Sequence, residues 1–351
     1  MAMSSGIKIL SMTTVVPQSQ YGLEDLVERF NVENARKIVN ATGVLFRHSS
    51  KEKKTLDLAF EAGKIALARA GVKPEDVDGI ILVTQTPEYR LPSTSCILQD
   101  RLGLPKASLA FDINLGCSGF PYGLITANAL LSSGTVSRLL LITGDVTSMN
   151  ASPEDKSTYP LFSDGFAAVL LERCREDGDL LGYSFGTDGS GWKNMVIHVG
   201  MARHPKLEDY YQSGGRESYP EVRYPDYAYM DGGQIFTFCL REVPSMIRRA
   251  LESSCVALEN VDFFFFHQAN VMIIRHLAKK MKIPEEKAPI SIDRYGNTSS
   301  SSPVLTACDH LGDKGIVRPL TVVMAAFGVG YSWASVVLRL DPSVICGIRE
   351  V

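Results

Sequence analysis

The seven cysteines of this 351-residue chain, at 96, 117, 174, 239, 255, 308 and 346, include no C-x-x-C pair. None stands with histidine at zinc-finger spacing, so neither a disulfide framework nor a structural zinc site is expected. Reduced thiols in a cytoplasmic protein are the simplest reading. No stretch approaches the roughly 20 apolar residues that a membrane helix requires. The N-terminus offers Lys8, a short apolar stretch around Ile9 and then Pro17, which is not the build of a signal peptide. An excess of basic charge is missing too. The 36 Lys and Arg against 39 Asp and Glu give a formal net charge of −3, with no global field for a nucleic-acid backbone. A composition of 45% hydrophobic and 21% charged residues excludes disorder, and the length is ample for two domain-sized units with a large core.

What is present is an alternation. Residues 79–83, 139–142, 263–266 and 320–324 are continuous apolar runs, suited to strands covered on both faces. Between them, Asp57–Ala70 and Val243–Leu251 carry apolar residues at helical spacing, so the class is α/β. The chain also repeats itself. Ala66-Leu67…Val72…Glu75-Asp76-Val77-Asp78 and Ala250-Leu251…Val256…Glu259-Asn260-Val261-Asp262 stand at a constant offset of 184 and each precedes an apolar run. Residues 166–171 and 333–338 form a second matching pair. The period is too long for a solenoid and reads as duplication of a whole α/β unit, near 1–175 and 176–351, about a pseudo-twofold. No Ser/Gly-rich linker separates the halves, so one continuous core is expected. Residues 184–229, rich in Gly, Tyr and Pro, are read as a long ordered excursion that lines a pocket.

Four motifs carry chemistry. Cys117 lies where an expected strand, Ser108–Asn114, turns into a helix with Pro121 in its first turn and Gly134 past its end. The helix dipole and free N–H groups at such a corner favour thiolate; a buried structural cysteine is the bland alternative. His267 ends the run Phe263-Phe-Phe-Phe266, at the strand terminus where α/β proteins place ligands, and Asn270 behind it reads as a helix cap. Asn297, in Gly296-Asn297-Thr-Ser, corresponds by the duplication to Cys117, although alone it is a turn and cap. Phe327-Gly-Val-Gly330 is a turn between two late strands, able to aim a backbone N–H at an oxyanion or simply to close a hairpin.

Taken together, Gly-Cys117-Ser-Gly, His267-Gln-Ala-Asn, Gly296-Asn297 and Phe327-Gly-x-Gly330 resemble the β-ketoacyl synthase III family of the thiolase fold. Thr42-Gly43-Val44…Arg47-His48, Phe162-Ser-Asp164-Gly165 and Met230-Asp-Gly232…Phe236 extend the resemblance over essentially the whole chain. It implies a thiolase-like α/β fold, with two five-stranded sheets in a five-layered α-β-α-β-α sandwich, a homodimer and a Cys117/His267/Asn297 active site. Cys117 would take an acyl group from an acyl-CoA or acyl carrier protein and condense it with a malonyl-carrier protein, with loss of CO2, to a 3-oxoacyl thioester. The backbone N–H groups of Cys117 and Val329 would form the oxyanion hole. Neither a cofactor nor a metal is implied, and neither nucleic acid nor membrane.

The departures from that family bear on the donor. Where housekeeping members have a Trp that stacks on the CoA adenine and a following Arg, this chain has Lys37 and Ala41. A carrier-receiving Arg becomes Met272, and the aromatic that a partner subunit lends to the acyl pocket becomes Leu91. These favour a carrier-bound donor, with Arg275, Lys279, Lys280 and Lys282 as a basic patch for it; the alternative is an ordinary solvated helix face. Three rival functions stay in view: acyl transfer without decarboxylation, a degradative thiolase, and a silent subunit. No second cysteine lies in 327–333, which argues against the thiolase, and the intact triad argues against the silent subunit.

Overall fold

A run such as Gly79–Val83 has no polar residue to turn toward water, so it must be covered on both sides. The computed structural model, which describes residues 6–175 and 178–351, buries all five of its residues. The halves' expected junction at 175/176 falls at the edge of that description, with residue 176 outside it. Gly79–Val83 pairs in parallel with Leu109–Ile113 on one side and Arg138–Asp145 on the other. The antiparallel strands Gly165–Cys174 and Gly6–Val16 extend the sheet, and the two-residue strand Arg349–Glu350 closes its far edge.

The second sheet orders Phe263–Phe266, Leu320–Gly328, Ser332–Leu340 and Leu180–Thr187. This repeats the order of Gly79–Val83, Arg138–Asp145, Gly165–Cys174 and Gly6–Val16, with the same parallel and antiparallel sense. The short 3-10 turns Pro74–Asp76 and Leu258–Asn260 precede equivalent strands at the offset seen in the sequence. The sheets have six and four strands, not five each. The additional strand is Arg349–Glu350. At the place equivalent to Leu109–Ile113 in the second half stands Pro289, which has no N–H to give to a ladder, and no strand forms there.

Five layers result. Helix Thr55–Ala70, ended by Gly71 at φ 64°, packs with Thr94–Leu102 on the outer face of the first sheet. Helices Gly119–Ser133 and Ser302–Leu311 lie between the sheets, where Leu124, Leu131, Val304 and Leu311 meet Ile81, Val169, Met324 and Val336. Helices Gly232–Ser254 and Val271–Met281 cover the outer face of the second sheet. The periodicity at 243–251 marks only the middle of that long helix. Gly232-Gly233 at its start and Pro244 inside it interrupt the helical signal, and tertiary packing overrides them. The excursion begins later than residue 184, because Leu180–Thr187 completes the second sheet. It then runs through Gly189–Asn194, Leu207–Gln212 and Gly215–Ser218. No helix among the described residues is long and apolar enough to cross a membrane.

The central layer is the stability element. Leu124→Ala, which opens a cavity between two sheets, is expected to cost about 2–5 kcal/mol in denaturant unfolding. Val317→Ser, at a position 97% exposed, is expected to stay within about 0.5 kcal/mol of wild type.

Candidate active site

Cys117 sits three residues beyond the residue that follows strand Leu109–Ile113 and two before helix Gly119–Ser133. Pro121 stands in the first turn of that helix and Gly134, at φ 78°, ends it. Two glycines let other backbone reach the sulfur. A Cβ at Gly328 would lie 2.7 Å from Cys117 Cβ and 2.8 Å from its Sγ. A Cβ at Gly116 would overlap the Gln85 amide and stand 2.9 Å from Val329 Cγ1. The turn after strand Leu320–Gly328 is thereby pressed onto the Cys117 corner, and the Val329 N–H acts on the thiol.

His267 follows strand Phe263–Phe266, and its own N–H still bonds to Ala325 O at 2.8 Å. Its ring Nδ1 lies 2.7 Å from Ser302 Oγ, at the head of helix Ser302–Leu311. Gln268 is a staple: its side chain donates to Phe266 O and accepts from the N–H groups of Ser291 and Ile292. Asn297 is held by the segment before the same helix. Its N–H donates to Leu161 O, and its Oδ1 accepts from the Ser299 N–H at 2.9 Å. With the oxygen so occupied, the carboxamide NH2 is the free end. Asn270 is the expected cap, accepting from the Met272 N–H at 2.7 Å.

Burial governs the electrostatics. It pushes the Cys117 thiol up to about 11; the Val329 N–H pulls the other way and the Asp145 carboxylate adds to the rise. The expectation that the helix start leaves a resting thiolate is therefore corrected. In this dry corner desolvation outweighs the favourable N–H groups, and the sulfur rests protonated. Burial also lowers His267 to about 4, so its imidazole is neutral at physiological pH. A further carboxyl, Asp145 at the end of strand Arg138–Asp145, is raised by burial to about 6. Asp145 and the serines 299 and 302 carry little functional signal in the sequence. The signal for Asp145 was an acid ending an apolar strand; Ser299 and Ser302 were hidden in a run of four serines.

Cys117, His267 and Asn297 line one cavity of about 300 Å³, although they come from three separate places in the chain. Its remaining wall is mostly apolar: Met195 and Met230 from the excursion and its end, Ile235, Phe236 and Cys239 from helix Gly232–Ser254, and Ile273. Met272, half exposed, stands at its edge. Leu91 is 80% exposed and is not part of this wall. Arg275 and Lys279 are exposed on helix Val271–Met281 and make no salt bridge among the described residues. Lys280 donates to Leu240 O. Lys37 is paired with Glu33, and Ala41 offers its carbonyl to Asn270. No group of His, Cys, Asp or Glu suited to a metal occurs among the described residues.

Residues 111–189 match the family described as 3-oxoacyl-[acyl-carrier-protein] synthase III, and residues 251–340 match its C-terminal counterpart. A β-ketoacyl-[acyl-carrier-protein] synthase III of Clostridium perfringens is 35% identical over 85% of this chain and 89% of its own length. One from Caldanaerobacter subterraneus is 35% identical over 86% of this chain and 88% of its own. Among solved structures, a 3-oxoacyl-(acyl-carrier protein) synthase of Burkholderia xenovorans superposes with a TM-score of 0.90 at 36% identity, over 100% of this chain and 99% of that one. The synthase III of Aquifex aeolicus superposes at 0.83 with 32% identity, over 95% and 100%. With sequence likeness of this extent and a duplicated, five-layered architecture shared along the full chain, this protein belongs to the β-ketoacyl-acyl-carrier-protein synthase III family, of the thiolase fold.

Proposed function

We propose that the protein is a condensing acyltransferase of the synthase III type in which Cys117, His267 and Asn297 do the chemistry. The observation that carries this reading is the meeting of these three side chains, from three elements, at one largely apolar cavity. Cys117 attacks an acyl thioester, and the tetrahedral oxyanion lies against the N–H groups of Cys117 and Val329; the carrier thiol leaves. A malonyl thioester then enters. Its carbonyl accepts from the Asn297 NH2 and from the His267 ring as CO2 departs and negative charge gathers on oxygen. Ser302 Oγ donates to Ser299 O at 2.9 Å and stands 2.7 Å from Nδ1; turned onto Nδ1 during the reaction, its hydroxyl leaves the single ring proton on Nε2, available to that oxygen. The enolate carbon attacks the Cys117 acyl group and gives a 3-oxoacyl thioester. Neutral donors suit this role, since a fixed positive charge in so dry a site would carry a heavy desolvation cost.

The carrier approaches across helix Val271–Met281, where Arg275 and Lys279 are exposed and, among the described residues, unpaired with acids, and Met272 flanks the mouth. A second copy of the chain covers the edge strand Leu109–Ile113, whose apolar Leu109, Phe111 and Ile113 are only half-buried. The exposed Leu91 would then reach toward the neighbouring site.

Intact-mass measurement is expected to show one acyl adduct on wild type and none on Cys117→Ala. Label on both would remove Cys117 from its role. His267→Ala and Asn297→Ala are expected to acylate but to lose about 10²-fold or more in CO2 release from malonyl-carrier protein. Normal decarboxylation by either variant would refute that assignment, and acyl transfer with no CO2 at all in wild type would favour simple transacylation. Because His267 titrates near 4 and not near 6.5, decarboxylation by pre-acylated enzyme is expected to stay flat between about pH 5.5 and 8. A histidine-like inflection near 6.5 would contradict the neutral-donor role. Reversing charge at Arg275 and Lys279 together is expected to raise KM for malonyl-carrier protein about tenfold with little change in kcat, measured by initial rates.

A further inference from the structure

We propose that Ser118 and Ser332 are positioning residues for acyl transfer, joined in a two-hydroxyl chain that fixes the Val329 turn against the Cys117 corner. The inference rests on the reading of Cys117 as the acylated residue, with the Cys117 and Val329 N–H groups as its oxyanion hole.

Ser118 follows Cys117 directly and occupies the cap position of helix Gly119–Ser133. Serine is a favoured cap because its oxygen accepts from the N–H groups of the first turn. Here the side chain makes no such bond. Its Oγ lies instead 2.6 Å from the Oγ of Ser332, a residue 214 positions away in the chain. Ser332 opens strand Ser332–Leu340, and its Oγ donates to Val329 O at 2.8 Å. A serine hydroxyl has one proton to give. Ser332 gives it to Val329, so Ser118 is the donor to Ser332, and the chain runs from the Cys117 corner to the turn. Both serines are buried, at 0% and 4% exposed, so bulk water does not compete for these bonds.

The turn needs such a hold. The ladder between strands Leu320–Gly328 and Ser332–Leu340 ends at the pair Gly328 and Ser332, which leaves residues 329–331 outside it. Tyr331 is anchored by Asp188: its N–H donates to Asp188 O at 2.9 Å and its carbonyl accepts from the Asp188 N–H at 3.0 Å. Its ring stacks on Phe238 at 4.1 Å, and its hydroxyl accepts from the Asn194 amide at 2.7 Å. Val329 is held through its carbonyl by Ser332, which restrains the backbone that aims the Val329 N–H. Contact at the corner is close. A Cβ on Gly328 would stand 2.7 Å from Cys117 Cβ, and one on Gly116 would stand 2.9 Å from Val329 Cγ1. A donor must meet the oxyanion within a few tenths of an ångström, and a misplacement of about 1 Å costs up to about 10²-fold in rate.

The hole serves two steps. It receives the oxyanion when Cys117 attacks the donor thioester, and again when the enolate carbon attacks the Cys117 acyl group. Malonyl decarboxylation gathers its charge elsewhere, against Asn297 and His267. Loosening the serine chain therefore slows both acyl steps and spares the loss of CO2. An enolate that fails to attack takes a proton from water and leaves as acetyl-carrier protein, so CO2 outruns 3-oxoacyl product.

Single-turnover acylation of the full chain tests this. An acyl-CoA series from acetyl to octanoyl is followed by intact mass, and the fastest wild-type donor is then used for variants. Ser332→Ala is expected to lower the maximal acylation rate about 30-fold, with the half-saturating donor concentration within about twofold of wild type. Ser118→Ala, which leaves Ser332 on the Val329 carbonyl and so orphans no backbone group, is expected to lower it about tenfold. Ser332→Thr keeps the hydroxyl on a strand-forming residue and is expected within about threefold of wild type. The double alanine variant is expected within about twofold of Ser332→Ala, because a chain already broken at Ser332 has no more to lose. Once acylated by long incubation, both single alanine variants are expected to release CO2 from malonyl-carrier protein within about threefold of wild type. Their yield of 3-oxoacyl product per CO2 is expected to fall below about half. Wild-type acylation by Ser118→Ala or Ser332→Ala overturns the proposal, as does a multiplicative loss in the double variant. So does an equal loss of acylation and CO2 release, which would make the serines part of the general packing only. No adduct on wild type, or an adduct on Cys117→Ala, marks instead the failure of the acyl-cysteine reading, and this inference falls with it.

Discussion

The structure turns on one constraint: three polar side chains sit in a nearly dry apolar cavity beside the central helix layer. Cys117, His267 and Asn297 are each less than 7% exposed. Removed from water, the thiol and the imidazole are both driven to their neutral forms, and neither charge can be recovered from solvent. Whatever reactivity the site has must come from fixed dipoles. These are supplied by backbone N–H groups at Val329 and Cys117, the Asn297 carboxamide oriented by the Ser299 N–H, and the imidazole oriented by Ser302.

The duplicated architecture explains how such dipoles converge. In each half the segment that precedes the central helix carries a candidate site residue at its end, although only the first half forms a strand there. The segment after Leu109–Ile113 presents Cys117, and the corresponding segment of the second half presents Asn297. Packing helices Gly119–Ser133 and Ser302–Leu311 side by side between the sheets brings the two corners together. Gly328 then admits a backbone turn against the sulfur that no other residue would allow. The apolar layer thus gives stability and also sets the low dielectric that makes a few hydrogen bonds strong.

Ser299 and Asp145 show what such a site asks of its surroundings. A carboxyl with one unbonded oxygen and a serine in a left-handed backbone are both unfavourable alone. They persist because the sheet ends and the helix start around them are rigidly packed. Local rules broken at a functional site and repaid by the fold are the expected pattern of a chain whose remaining elements agree with one another.

Much of this was legible in the chain. Continuous apolar runs marked the central strands because a strand covered on both faces needs no polar alternation. The constant offset of 184 marked the duplication because the same supersecondary unit places the same residue types at the same spacing. Cys117 and His267 were legible as residues at strand ends, and Asn297 through its correspondence to Cys117 in the duplication. The extra strand Arg349–Glu350 and the lost strand at Pro289 were not, since pairing of a short edge depends on what lies beside it. Nor were the protonation states: a helix start predicts a thiolate, and only the depth of burial reverses that sign. Asp145 and Ser299 took on meaning only once folding buried them beside the site. Sequence carries periodicity and local geometry; desolvation and the meeting of distant side chains are properties of three-dimensional packing, and here they decide the chemistry.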